Sequence, residues 1–456
     1  MKKLSSILMI MLVGILLLAG CGESDEIQFP NTNSTVISNG SMIVQKEDYV
    51  YFVSGYVSAN DLTNPKTDNV FGDVVTGAIY RVKLTNGVVP TDEEGNISGT
   101  EVVVPKVVGF ENGGFYIFGD YIYYATPDMG SDNSGTLLND KVNFCMISIN
   151  GGKDTNNTLA EGVDVADGEW KSYFIDGSVY FVIYAESTLT SIKVVKEDGE
   201  SVTMATGVTS ASLPDGEIYS PTNRESASEY EGKTQLEDYN QWIYYTQDKL
   251  EDSSKKGNVF LKVKIGSENS TTLEQTDTVY SVVEQNNGYL YYTKENGRVE
   301  DSLAILYKAN IENGFNDEAR LANAEYDNMY IVQQDLTTAV IIKTGTLLKV
   351  STDGGTTYKG LLTIGEDDSI TVIRAYGNYI YYYNGIDGTL NRVNIFDRTI
   401  TNLYTEDDDN KLSLDSDLNA DVVNNKVVFY LENDEIVKTL LIDLGGNLVN
   451  ALIIDL

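Results

Sequence analysis

The stretch Ile370-Thr-Val-Ile-Arg-Ala-Tyr-Gly-Asn-Tyr-Ile-Tyr-Tyr-Tyr383, with Asn384-Gly-Ile-Asp-Gly388 and Thr389-Leu-Asn-Arg-Val-Asn394 behind it, decides how this chain reads. Ile370 to Tyr376 is a β-branched run that stops at Gly377-Asn378, a pair suited to a tight turn. Tyr379 to Tyr383 is a second strand, Thr389 to Asn394 a third, and Thr399-Ile-Thr-Asn-Leu-Tyr404 a fourth. Four short strands joined by tight turns predict one small twisted antiparallel sheet. The tyrosine run is apolar at odd and even positions alike, so both faces of its strand need cover.

The same unit can be traced along the rest of the chain. Second strands open at Tyr49, Tyr121, Ser178, Trp242, Tyr289, Tyr379 and Lys426, with a degenerate Ala339-Val-Ile-Ile342 between the fifth and the seventh of the series. Third strands follow, among them Ile79-Tyr-Arg-Val82, Cys145-Met-Ile-Ser148, Ile192-Lys-Val-Val195, Phe260-Leu-Lys-Val263, Ile305-Leu-Tyr-Lys308, Leu347-Leu-Lys-Val350 and Leu390-Asn-Arg-Val393. From Tyr49 to Lys426 the spacing averages about 54 residues, near the period of a propeller blade. A lone four-stranded sheet cannot bury both faces; radial stacking does this by sandwiching each sheet between neighbours. The expected fold is therefore all-β, a single β-propeller of four-stranded antiparallel blades. The expected count is eight, with seven as the alternative because the 330–363 unit is degenerate. Ser34-Thr-Val-Ile-Ser38 is expected to close the ring as a strand added to the last blade.

Ahead of the repeats, Lys2 and Lys3 precede an apolar run from Ile7 to Leu18, which is too short to span a bilayer and suited to a signal segment. It ends in Leu18-Ala19-Gly20-Cys21, which resembles the lipobox of bacterial lipoproteins. That resemblance implies a signal peptide over 1–20, lipidation of Cys21 and a membrane-anchored, extracytoplasmic protein. Residues 21–34 read as a polar tether and 35–456 as the propeller.

Composition closes several routes. The chain has 456 residues, 68 acidic against 32 basic, and a net charge of -36, so nucleic acid is not an expected partner. There is no histidine, which removes His-based triads, His-ligated zinc and His proton relays. The two cysteines, Cys21 and Cys145, cannot make a disulfide framework or a thiolate cluster. Cys145 reads as a small buried apolar residue of a third strand.

Gly119-Asp-Tyr-Ile-Tyr-Tyr124 and Gly377-Asn-Tyr-Ile-Tyr-Tyr382, each followed by a third strand with a basic or sulfur-bearing centre, resemble the low-density-lipoprotein-receptor-type β-propeller domains of uncharacterised function in bacterial lipoproteins. The resemblance implies a fold and a surface location. It supplies no catalytic residues.

Few motifs suggest chemistry. Ser351-Thr-Asp353-Gly-Gly355-Thr-Thr-Tyr358 matches the Asp-box of sialidase-like propellers, in which the aspartate bonds turn amides; Ser148-Ile-Asn150-Gly-Gly152 is a weaker echo. A sialidase also needs an arginine trio, whereas Arg81 and Arg392 occupy like positions of different third strands. Asp415-Ser-Asp417-Leu-Asn419-Ala-Asp421 spaces oxygens as a calcium loop would, but Ala420 and Lys426 depart from the EF-hand pattern. Two readings stay open there, a weak Ca²⁺ site and a solvated acidic loop; no other cofactor is expected. Asp128, Asp132 and Asn133 form a second oxygen-rich loop. Tyr219, Tyr230 and Tyr239 lie outside the strand repeat, in the long 213–240 stretch, which together with 60–76 is where a binding face is first sought. The expected function is a lipid-anchored, non-catalytic binding propeller whose partner is an envelope protein or glycan. The alternative is a glycan-active hydrolase or lyase built on acids and tyrosines.

Overall fold

The computed structural model describes residues 36–454 apart from 38, 55–77, 94–96, 105–113, 129–137, 153–154, 166–167, 176–177, 195–198, 215–240, 249–253, 255, 287, 312–314, 316, 322–327, 335–336, 354–356, 365–369, 408–410, 413–420, 424–425, 434–435 and 445–449. Its described strands form eight antiparallel sheets, over residues 36–104, 116–164, 169–206, 208–275, 278–320, 328–363, 370–405 and 411–454. Within each sheet the strand order follows chain order, so each is a local meander. Pairing between consecutive strands keeps most closures short, apart from the long connections within the first and fourth sheets.

The unit that anchors the sequence reading folds as expected. Its strands are Ile370–Tyr376, Tyr379–Asn384, Thr389–Asn394 and Ile400–Thr405. Gly377 takes the φ of +58° that the first turn requires, and Gly119 does the same in the second sheet at +60°. Register across the second and third strands sets Tyr381 opposite Arg392 and Tyr383 opposite Leu390.

Burial comes from stacking the sheets flank to flank. Val44, Tyr51 and Ile79 share a core with Ile117, Tyr124 and Ile147 of the second sheet. Tyr123, Phe144 and Met146 on that sheet's other flank meet Trp170, Phe181 and Ile192 of the third. The same sharing joins the third to the fourth, fourth to fifth, fifth to sixth, sixth to seventh and seventh to eighth sheets. An eighth core then joins the last sheet back to the first, through Val428 and Leu441 against Ile43, Phe52 and Val82. This circuit is what makes the fold an all-β propeller of four-stranded antiparallel blades. It also explains the tyrosine pairs: Tyr51 faces the next sheet while Phe52 faces the previous one, and both are at most 1% exposed. Each aromatic so covered contributes about 1.5–3 kcal/mol through its apolar surface.

One expectation needs correction. The strand Val36–Ile37 pairs with Ile43–Lys46 of the first sheet, not with the last sheet. Hydrogen-bonding to its own neighbour satisfies this short strand locally, and the last sheet fills its own inner position with two pieces, Lys411–Leu412 and Asp421–Val423, both paired to Lys426–Asn433. In the degenerate unit the second strand is Thr337–Thr344, which contains the expected core Ala339-Val-Ile-Ile342 and is preceded by Asn328–Gln334.

Candidate functional site

Most of the anticipated site residues fall in connections. Cys21, Gly355, Asp415, Asp417, Asn419, Asp132, Asn133, and the stretches 60–76 and 215–240 with Tyr219, Tyr230 and Tyr239, lie outside the described residues. Asp421 opens the strand Asp421–Val423 and pairs with Val428. Among the described residues no group of three or more His, Cys, Asp or Glu side chains is placed to hold a metal ion. Residues 215–240 join the first and second strands of the fourth sheet, whereas 60–76 join the second and third of the first sheet.

The turn around Asp353 is built from side-chain bonds. Ser351 Oγ donates to Asp353 Oδ1 at 2.7 Å, Thr357 N–H to the same oxygen at 2.9 Å, and Thr357 Oγ1 to Oδ2 at 2.5 Å. Tyr358 packs against the core between the fifth and sixth sheets, and burial with Asp353 nearby pushes its phenol up to about 12. The carboxylate is thus occupied in closing a hairpin. In the weaker echo, Asn150 N–H bonds Ser148 Oγ at 3.2 Å, and the Asn150 side-chain oxygen accepts from Arg81 Nη1 at 3.0 Å. Cys145 is 1% exposed on a third strand, with Asn143 O and Thr158 Oγ1 beside its sulfur.

A repeated cation–aromatic pair emerges instead. In five sheets the residue opposite the third position of the second strand is basic: Tyr51–Arg81, Tyr180–Lys193, Tyr244–Lys262, Tyr291–Lys308 and Tyr381–Arg392. Arg81 lies over Tyr49 at 5.0 Å, Lys193 over Tyr180 at 5.8 Å, Lys262 over Trp242 at 4.5 Å, Lys308 over Tyr289 at 5.3 Å and Arg392 over Tyr379 at 4.1 Å. Each cation is half-buried near the end of its strand, at the end of the ring that carries the first-to-second turns. The ring beneath it faces the next sheet. Sequence alignment alone misses this, because Lys193, Lys262 and Lys308 fall second, third and fourth in their quoted strand cores. Only the cross-strand register brings them to one position.

The five pairs differ in their counter-charge. Arg81 forms an ion pair with Glu101 on the fourth strand at 2.7 Å and donates to Ile149 O of the next sheet at 2.8 Å. Burial works to lower its guanidinium, but its bonds to Glu101 and to the Tyr51 hydroxyl hold it above the ordinary arginine value. Glu200 stands opposite Lys193. Across from Lys262 and Arg392, however, are Thr271 and Thr401, and across from Lys308 is Ala319. Nε and Nη1 of Arg392 are covered and meet no acceptor.

Other charged groups are already engaged. Lys46 reaches Gly119 O and Asp120 of the second sheet, and Lys294 and Tyr292 share Glu318. Burial first, and the Glu318 carboxylate second, push the Tyr292 phenol far up. At the joint between last and first sheets, Lys426 donates to Gly87 O at 2.9 Å and faces Asp443 at 3.9 Å, while Val89 N–H donates to Asp443 Oδ2 at 2.7 Å. Burial lowers the Lys426 ammonium and Asp443 partly restores it.

No family model matches the chain, and no curated protein matches it in sequence. Among solved structures it is similar to a prolyl endopeptidase at 10% identity and a TM-score of 0.45, over 74% of this chain and 49% of that one. The chain therefore spans about half the length of that enzyme. The β-propeller domain of the Trilobed protease from Pyrococcus furiosus, described with an open velcro topology, is similar at 11% identity and a TM-score of 0.39, over 74% of this chain and 96% of that one. The nidogen/laminin complex gives 11% identity and a TM-score of 0.31, over 57% of this chain and 89% of that one.

Proposed function

We propose that this protein is a non-catalytic β-propeller that binds an envelope protein or glycan through one end of its ring, held at the outer face of a cell membrane by a lipid on Cys21. The observation that carries the binding reading is the use of the repeat's own polar residues. Asp353 closes a turn, Glu101 and Glu318 neutralise cations, and Asp443 grips the first sheet, so these four carboxylates serve the sheets themselves. The lipobox-like leader supports the anchor, and the net charge of -36 favours a domain held off anionic lipid. One blade per sheet gives eight blades, supported by eight sheets and eight shared cores; a seven-blade ring, the alternative, would have to set one sheet outside the circuit. The weak Ca²⁺ site at Asp415, Asp417, Asn419 and Asp421 belongs to the same proposal as an accessory of the loop before the last second strand.

The test is a pull-down of the full chain in detergent against envelope extract, with product analysis on wall material. Retention of one component without product release is expected. Released sugars would put the rival hydrolase or lyase in its place. Substituting Cys21 by serine should move the protein from the membrane to the soluble fraction.

A further inference from the structure

Lys262, Lys308 and Arg392 stand at one repeated position, at one end of the ring, on a strongly acidic chain. Each is held over an aromatic ring, with threonine or alanine where the first sheet places Glu101. Arg81 and Lys193 face Glu101 and Glu200 on their fourth strands, whereas among the described residues Lys262, Lys308 and Arg392 face no acid there. Sheets four and five are neighbours and sheet seven lies two further on, so the three cations are spread along an arc of four sheets, of which the sixth carries none of the five pairs. The side chains are pre-positioned by Trp242, Tyr289 and Tyr379 and lose little freedom on meeting a ligand.

We propose that this arc binds an acidic polysaccharide, with sugar carboxylates seated on successive cations and the half-exposed edges of Trp242, Tyr289 and Tyr379 against the sugar C–H faces. This rests on the binding reading above and narrows it to one ligand class and one end of the ring. Charge complementarity selects an anion, and cations at one level of a rigid rim, on three of four consecutive sheets, suit a polymer that carries several acid groups along its length. The aromatic neighbour of every cation favours sugar over an acidic peptide, because a pyranose offers apolar C–H faces beside its charge. An incoming oxyanion would also supply an acceptor to Arg392 as its guanidinium turns off the Tyr379 ring.

The test is titration calorimetry of the full chain in detergent with oligogalacturonate, dextran and poly-L-glutamate. Two triple variants accompany it. One is Lys262→Gln with Lys308→Gln and Arg392→Gln. The other is Thr271→Glu with Ala319→Glu and Thr401→Glu, which copies the Arg81–Glu101 pair and leaves the cations in place. Oligogalacturonate is expected to bind, to weaken with added salt, and to lose about tenfold or more in affinity in each variant. Dextran should not bind, and poly-L-glutamate should bind more weakly. Melting temperatures of both variants near that of the parent separate lost binding from lost folding. Uronate binding that neither variant changes overturns the inference, and so does poly-L-glutamate binding as tightly as the uronate. Capture of an envelope protein by both variants, with no uronate binding, overturns the inference and leaves the binding reading standing. Failure to bind any polymer or envelope component removes both.

Discussion

Two joints of the ring are built differently. Between the second and third sheets, Tyr116, Phe118, Phe144, Trp170, Phe174 and Phe181 fill the space, with Phe144 and Phe181 stacked at 4.2 Å. Between the last sheet and the first, the described residues of the last sheet that join the apolar core are Val428 and Leu441, and beside them sits the buried pair Lys426 and Asp443, 3% and 1% exposed. The first joint gains from apolar surface removed from water and has no strong preference for one register. The second takes two charges out of water and places them on Gly87 O and Val89 N–H, which orients one sheet edge against the other. Among the described residues no shared strand ties the last sheet to the first, and this directional grip serves at the joint between sheets from the two ends of the chain.

The comparison can be broken by substitution at either joint. Phe181→Ala should cost the most, about 3–5 kcal/mol, because it leaves a cavity among rings that cannot collapse into it. Its urea midpoint should fall far below that of the parent. Lys426→Met should cost about 3 kcal/mol by leaving Asp443 buried and uncompensated. The double variant Lys426→Met with Asp443→Leu should recover more than half of that loss, measured as the same midpoint. Recovery would show that the pair gives direction more than stability; no recovery would mean the contacts to Gly87 and Val89 matter as much as the charges.

Alkaline pH tests the apolar joints. Burial pushes Tyr80 and Tyr244 to about 12, above the 10.0 of an exposed phenol. A raised folded value means the unfolded chain ionises first, so stability is complete below pH 10 and falls as pH rises toward 12. Ultraviolet titration of tyrosinate should show a delayed, cooperative rise that coincides with loss of the β-sheet circular dichroism signal. The smallest expected effect is Asp353→Ala, about 1 kcal/mol, because it removes turn bonds from one partly exposed hairpin and leaves both joints intact.

Parts of this were legible in the residues themselves. The unit from Ile370 to Thr405 could be read strand by strand, because glycine–asparagine turns bound runs of β-branched and aromatic residues. Where those marks fade the reading slipped: the Val36–Ile37 strand joined the first sheet and not the last. The cation arc was hidden for a related reason. Lys193, Lys262 and Lys308 look staggered along their strands until hydrogen-bonded register aligns them, and whether a cation has a counter-charge depends on the fourth strand, which carries no pattern of its own.

The chain's own alternation of apolar runs and tight turns determined that it would make small antiparallel sheets with two faces to cover, because strand and turn propensities act within a few residues. Which flank meets which neighbour, how the last sheet grips the first, and which of five equivalent cations keeps an unbalanced charge were decided only by the tertiary structure, since each depends on groups brought together from distant parts of the chain.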